Sequence, residues 1–148
     1  GVFDDENVLC LLGPNQENLP IPEWVAYKAP TYPEQLEETW FPKAAGLITL
    51  SRHAEGRPQV ILEAMAAGIP VIASDLAAHR DVVMHRKTGW IVTTSEELKQ
   101  AVDFMAVPAH NRRMGQAAKA WVKEHIGTWD DCAGRYEAAY RALAGKTP

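Results

Sequence analysis

The sequence predicts an α/β domain, an open parallel sheet with helices on its faces and a helical C-terminal tail. Three observations carry that prediction. Short apolar runs at 46–50 (GLITL) and 70–73 (PVIA) are flanked by Gly or Pro and too short for helices, so they read as strands buried on both faces. Between them, 58–67 (PQVILEAMAA) is rich in helix formers and stops at Gly68, giving a strand–helix–strand unit whose strands run parallel. From Ser95 onward, the segments 95–107, 109–125 and 129–144 place apolar residues three and four apart, the helical spacing.

The remaining elements follow in chain order. Residues 8–12 are a short apolar run closed by Gly13-Pro14, a buried strand and a turn. After a loop at 15–22, residues 24–27 form a second short strand. Pro30 and Pro33 punctuate the next loop, and Pro33 suits the first position of a helix over 34–40 that Pro42 ends. Beyond PVIA, a helical stretch at 79–84 leads through Thr88-Gly89 to a fifth strand at 90–92. Ser95 reads as the capping residue of the following helix, with Glu96 and Glu97 in its first turn. The last two helices carry the stripes Ala118, Trp121, Val122, His125 and Tyr136, Ala139, Tyr140, Leu143, which are expected to be core. The result is a single domain over 1–148, with ligands expected at the carboxyl ends of its strands.

Composition narrows the function. With 148 residues and 47% apolar positions, the chain can bury one core as a soluble domain. Its charge of −4, from 19 acidic and 15 basic residues, comes without a Lys/Arg run longer than two, so nucleic acid is not an expected partner. No apolar run approaches the roughly 18 residues of a membrane span and no signal-like leader opens the chain, so neither is expected. Cys10 and Cys132 read as buried small hydrophobes in a reducing compartment, which predicts a cytoplasmic protein. His53, His79, His85, His110 and His125 lack HExxH or CxxC partners and read as surface or capping residues, so no metal site is expected.

The stretch 51–68 (SRHAEGRPQVILEAMAAG) carries the chemistry. It places Glu55 in a loop and Glu63 eight residues later on the helix. At about 1.5 Å per residue, Glu63 lies roughly 6 to 8 Å inside the helix, while Glu55 precedes its entrance. Free first-turn amides and the helix dipole make that entrance an anion site suited to a diphosphate. Carboxylates repel phosphates but accept hydrogen bonds from sugar hydroxyls. A nucleotide sugar would therefore place its ribose on Glu63 and its transferred sugar on Glu55. The segment Gly56, Arg57, Pro58, Gln59 and Val60 would hold the phosphates, mainly through backbone amides. The same two glutamates also read as a solvated loop carboxylate and an exposed helix residue, and the spacing alone leaves both readings open.

Residues 51–92 contain Glu55-Gly56, Leu62-Glu63-Ala64-Met65-Ala66-Ala67-Gly68, Pro70-Val71, Ala73-Ser74-Asp75 and Thr88-Gly89-Trp90-Ile91-Val92, and with these they resemble the family 4 (group 1) retaining glycosyltransferases. A weaker likeness runs over about residues 8 to 144. The resemblance implies a Rossmann-like fold, the C-terminal half of a GT-B enzyme cut off at its N-terminal side. It further implies metal-independent transfer with retention at the anomeric carbon, from a UDP- or GDP-sugar and with no cofactor beyond that substrate. Glu55, in the catalytic position, and Glu63 match the family's two glutamates. The loop 28–33 resembles the one that cradles the nucleobase, largely through its backbone, which makes Thr31 and Tyr32 candidates.

Departures from the family pattern are also visible. Arg57-Pro58 stands where many relatives have an aromatic residue and glycine; Pro58 removes an amide donor, for which Arg57 could compensate on a phosphate. Ala77-Ala78 stands where paired glycines are common. The Arg and Lys that neutralise the donor diphosphate, and the acceptor domain, would lie upstream of Val8. The expectation is thus a fragment inactive alone, whose partners are a nucleotide sugar and a missing N-terminal acceptor domain. A second copy is a further candidate partner for its exposed apolar surface. The full-length protein would be cytoplasmic or peripheral to the inner membrane. The alternatives are a non-catalytic nucleotide-sugar-binding or interaction module, and another GT-B chemistry such as epimerisation or phosphorolysis.

Overall fold

The computed structural model describes residues 2–15, 18–30, 32–53 and 56–145. Five strands follow one another as β1 (Cys10–Leu12), β2 (Ala26–Lys28), β3 (Leu47–Thr49), β4 (Val71–Ser74) and β5 (Gly89–Val92). All pairings are parallel, and they fall into two sheets, β1-β2 and β3-β4-β5. The helices are α1 (Pro33–Gln35), α2 (Gln59–Ala67), α3 (Ala77–Arg80), α4 (Ser95–Ala106), α5 (Pro108–His125) and α6 (Trp129–Ala144). Between α1 and β3 lie a π-helical turn, Leu36–Trp40, and a 3-10 turn, Phe41–Lys43. No helix among the described residues is long and apolar enough to cross a membrane.

The central strand β4 organises the core because a strand sends successive side chains to opposite faces. Val71 and Ala73 join Ile61, Leu62, Ala64 and Met65 of α2 and Ala118 and Val122 of α5. Ile72 points the other way, to Trp90 and Val92 of β5 and Ala101, Val102 and Met105 of α4. Helices cover both faces, which is why PVIA is apolar without alternation. The α2–α5 contact is close enough that a Cβ on Gly115 would collide with the Gly68 carbonyl. Gly68 itself ends α2 in the left-handed region, at φ 84°, where its N–H reaches back to the carbonyls of Ala64 and Met65.

Several expectations need correction. β1 is exposed along its length and Cys10 with it, because among the described residues its sheet holds one other strand, so β1 is an edge. Cys132 is half-buried rather than core. β3 is likewise half-buried throughout, being an edge of its sheet. Pro42 does not end the helical segment but sits in the first turn of the 3-10 helix, where its missing N–H is not needed. Pro58 is the residue before α2 rather than its first helical residue, with ψ at 85°. Thr94, not Ser95, caps α4. His79 is neither a surface nor a capping residue: it is fully buried, with Nδ1 2.9 Å from the Ser74 carbonyl. The Tyr136, Tyr140 and Leu143 stripe is exposed, and no residue of α6 is buried.

Candidate functional site

The β3–α2 connection delivers the predicted helix entrance. It leaves β3 at Thr49 and enters α2 at Gln59, so the entrance lies beyond the carboxyl end of β3. Ser74 at the end of β4 donates its hydroxyl to the Ser51 carbonyl at 2.6 Å, fastening the start of this loop to the neighbouring strand. The buried His79 ring holds Ser74 from behind, Nδ1 lying 3.3 Å from the Ser74 hydroxyl. This Ser51–Ser74–His79 chain was missed in the sequence, where Ser74 registered only within the Ala-Ser-Asp motif.

Among the described residues no side chain caps α2. Pro58 contributes its carbonyl, which accepts from the Leu62 N–H at 3.3 Å, and has no amide to offer. The N–H groups of Gln59, Val60 and Ile61 are therefore the first-turn donors that intrahelical bonding does not use. Pro58 is buried, and anchors the turn, while Gly56, Arg57, Gln59 and Val60 are exposed. Gly56 makes no conformational demand: its φ is not positive, and a Cβ there would meet nothing within 4 Å.

Glu63 lies on the exposed face of α2 with Gln59 and Val60, four and three residues earlier and hence on the same side. The opposite face carries the buried Ile61, Leu62, Ala64 and Met65. Amphipathicity thus forces Glu63 outward, about 6 Å along the axis from the first helical residue. Glu55 and Thr31 lie outside the described residues. Tyr32 is 76% exposed, and its backbone opens the next helical segment by accepting from the N–H groups of Gln35 and Leu36 at 3.0 and 3.1 Å.

Two depressions lie at strand ends. One, of about 280 Å³, follows the carboxyl end of β2 and is lined by Ala29, Pro30, Gln35, Thr39 and Trp40. It borders the loop expected at a nucleobase, and Gln35, Thr39 and Trp40 of its lining come from the helical segment after that loop, which sequence reasoning did not single out. The other, of about 420 Å³, lies beyond β4 and β5 and includes Asp75, Arg80, His85, Thr93 and Glu97. Its charges are already committed to structure. Asp75 pairs with Arg80, and Glu97 accepts from the Thr93 N–H at 2.6 Å and hydroxyl at 2.8 Å. These bonds hold the Glu97 carboxyl below its usual range, the Thr93 backbone N–H being the largest cause.

The fold and site define a parallel α/β protein that offers, at the carboxyl end of its sheet, a helix entrance with no side-chain cap among the described residues and a carboxylate one turn along the helix. The chain belongs to the family described as glycosyl transferases group 1, which matches residues 26–121. It is 33% identical over 127 residues to the D-inositol 3-phosphate glycosyltransferase of Streptomyces scabiei (strain 87.22), covering 84% of this chain and 28% of that protein. It is 30% identical over 94 residues to a probable sucrose-phosphate synthase of Thermosipho melanesiensis, covering 64% of this chain and 22% of that one. Among solved structures, sucrose-phosphate synthase from Thermosynechococcus elongatus matches with a TM-score of 0.69 at 26% identity, over 83% of this chain and 31% of its own. Anabaena HepE in complex with UDP and glucose matches with a TM-score of 0.71 at 16% identity, over 90% of this chain and 40% of its own, a likeness of fold. These neighbours are GT-B glycosyltransferases. The chain spans less than a third of the length of the two relatives compared by sequence.

Proposed function

We propose that this chain binds a nucleotide-sugar donor and is the donor half of a longer retaining, metal-independent glycosyltransferase. The observation that carries the reading is the α2 entrance: three first-turn amides with no side-chain cap among the described residues, and Glu63 one turn further along the same exposed face. The diphosphate of a UDP- or GDP-sugar would take the amides, and its ribose hydroxyls would donate to Glu63. Glu55, on the connection before α2, would meet the transferred sugar, and Arg57 would add a charge-assisted bond to a phosphate. Family membership supports the chemistry, and the UDP bound to HepE supports the ligand class.

The reading of this chain as part of a larger enzyme rests on its share of its relatives' length and on its sheets. β1 and β3 each pair with a strand on one edge only among the described residues, leaving room for further strands. Retaining transfer also needs an acceptor hydroxyl held about 3 Å from the anomeric carbon in a cleft closed to water, which the acceptor domain would supply. Without it the chain is expected to bind donor and transfer nothing.

Calorimetric titration of UDP, GDP and ADP tests the site. One or more should bind, and Glu63→Ala should weaken binding about tenfold to a hundredfold, the worth of a charge-assisted hydrogen bond. Binding indifferent to Glu63→Ala would sink the ribose assignment. Arg57→Ala should weaken the diphosphates more than uridine; equal effects on both would make Arg57 a solvated cation.

A further inference from the structure

We infer that Trp40 is the platform on which the donor's base stacks, an assignment that rests on the donor-site reading above. The depression after β2 is lined by Ala29 and Pro30 of the loop and by Gln35, Thr39 and Trp40. What puts Thr39 and Trp40 in that wall is the π-helical turn Leu36–Trp40, closed by the Phe41 N–H on the Leu36 carbonyl five residues back. Such turns are rare because their hydrogen bonding is poorer than an α-helix's, and they recur at functional sites. Phe41, directly after the turn, packs against the cluster of α2, β4 and α5. Trp40, one residue earlier, is left half-buried at the cavity.

The other tryptophans show what sets this one apart. Phe3 stacks on Trp24, Phe104 and His85 meet Trp90, and His125 stacks on Trp121. Trp129 is 87% exposed on the surface of α6. Among the described residues no ring lies on Trp40, so a half-buried indole borders the cavity with no aromatic partner of its own among them. A flat heterocycle is the ligand chemistry that indole suits, and Pro30 in the same lining offers a second apolar surface. Every base has a π-face, so stacking adds affinity without choosing among bases. Trp40 therefore serves UDP, GDP and ADP alike, and any discrimination falls to the polar rim of Thr39, Gln35 and the loop backbone.

The test follows ¹⁵N-labelled chain by NMR at millimolar ligand, where weak binding registers. The Trp40 indole N–H, assigned through Trp40→Phe, is read beside the amides of Gln59–Ile61, with pyrophosphate and ribose 5-phosphate as base-free controls. UDP, GDP and ADP should shift both sets, whereas pyrophosphate should shift the α2 amides and leave the indole unmoved. Trp40→Ala should weaken all three nucleotides about tenfold or more while leaving pyrophosphate unchanged, and Trp40→Phe should restore most of the loss. If UDP moves the α2 amides but not the indole, the stacking assignment is wrong and the donor site stands. If no nucleotide moves the α2 amides, the donor site itself fails and the platform with it.

Discussion

At the scale of single residues, two glycines with the same sequence appearance carry opposite weight. Gly115 lies in the middle of α5, where helix propensity alone would favour Ala. A Cβ there would collide with the Gly68 carbonyl, so Gly115→Ala must push α2 and α5 apart. It should destabilise by about 1 to 3 kcal/mol or more, visible as a lower urea midpoint at unchanged slope. Gly56→Ala meets nothing within 4 Å and should leave the midpoint within about 0.5 kcal/mol. Equal effects of the two would mean that the α2–α5 approach is looser than described. Neither outcome was legible in sequence, because what a missing side chain makes room for is set by a segment 47 residues away. His79 teaches the same lesson. Nothing local distinguishes it from the exposed His85, and burial behind Ser74 is a property of the assembled sheet.

Among elements, the helix starts are the features most testable by pH. Thr94 and Glu97 form a complete capping box on α4, and Thr128 and Asp131 form another on α6. The backbone N–H of Thr93 and that of Thr128 are the chief causes holding the Glu97 and Asp131 carboxyls low. A carboxyl whose folded pKa is depressed stabilises the fold fully above its unfolded value, about 4.3 for Glu and 3.9 for Asp. That contribution is lost as pH falls through the lower folded value. Glu97→Gln and Asp131→Asn together should therefore flatten the decline of stability below about pH 5, measured by denaturant melts across pH. An unchanged acid slope would show that the boxes do not persist in solution. Thr94→Ala should cost about 1 kcal/mol by loss of the cap. The sequence misplaced that cap by one residue, since Thr93, Thr94 and Ser95 are all competent caps and only the bond from the Glu97 N–H to the Thr94 hydroxyl, at 3.2 Å, selects among them. The π turn at Leu36–Trp40 was not legible at all, because no residue type encodes a five-residue hydrogen bond.

For the molecule as a whole, stability and the site draw on one region, the unit of β3, α2, β4, β5, α4 and α5, while α6 stands apart. Met65 is fully buried in the α2 cluster, and Met65→Ala should cost about 2 to 5 kcal/mol. Ending the chain after Gly127 removes a helix with no buried residue and should lower the melting midpoint far less than Met65→Ala does. A loss as large as that of Met65→Ala would show that α6 packs on the domain in solution. Its apolar stripe was correctly read as a helix face and wrongly as core. Spacing reports which side of a helix is apolar, but not whether anything covers it. The same gap explains β1, an apolar run that is exposed.

The sequence by itself determined the α/β class, the parallel strand–helix–strand unit around α2 and the outward-facing Glu63. Each follows from short-range chemistry: apolar runs bounded by Gly and Pro, helix formers closed by Gly68, and a charge on the polar side of an amphipathic helix. Only the tertiary structure decided which apolar surfaces are covered, which histidine is buried, where the cap falls, and that Trp40 borders a cavity. Those depend on contacts between segments far apart in the chain, and local pattern carries no information about the distance between them.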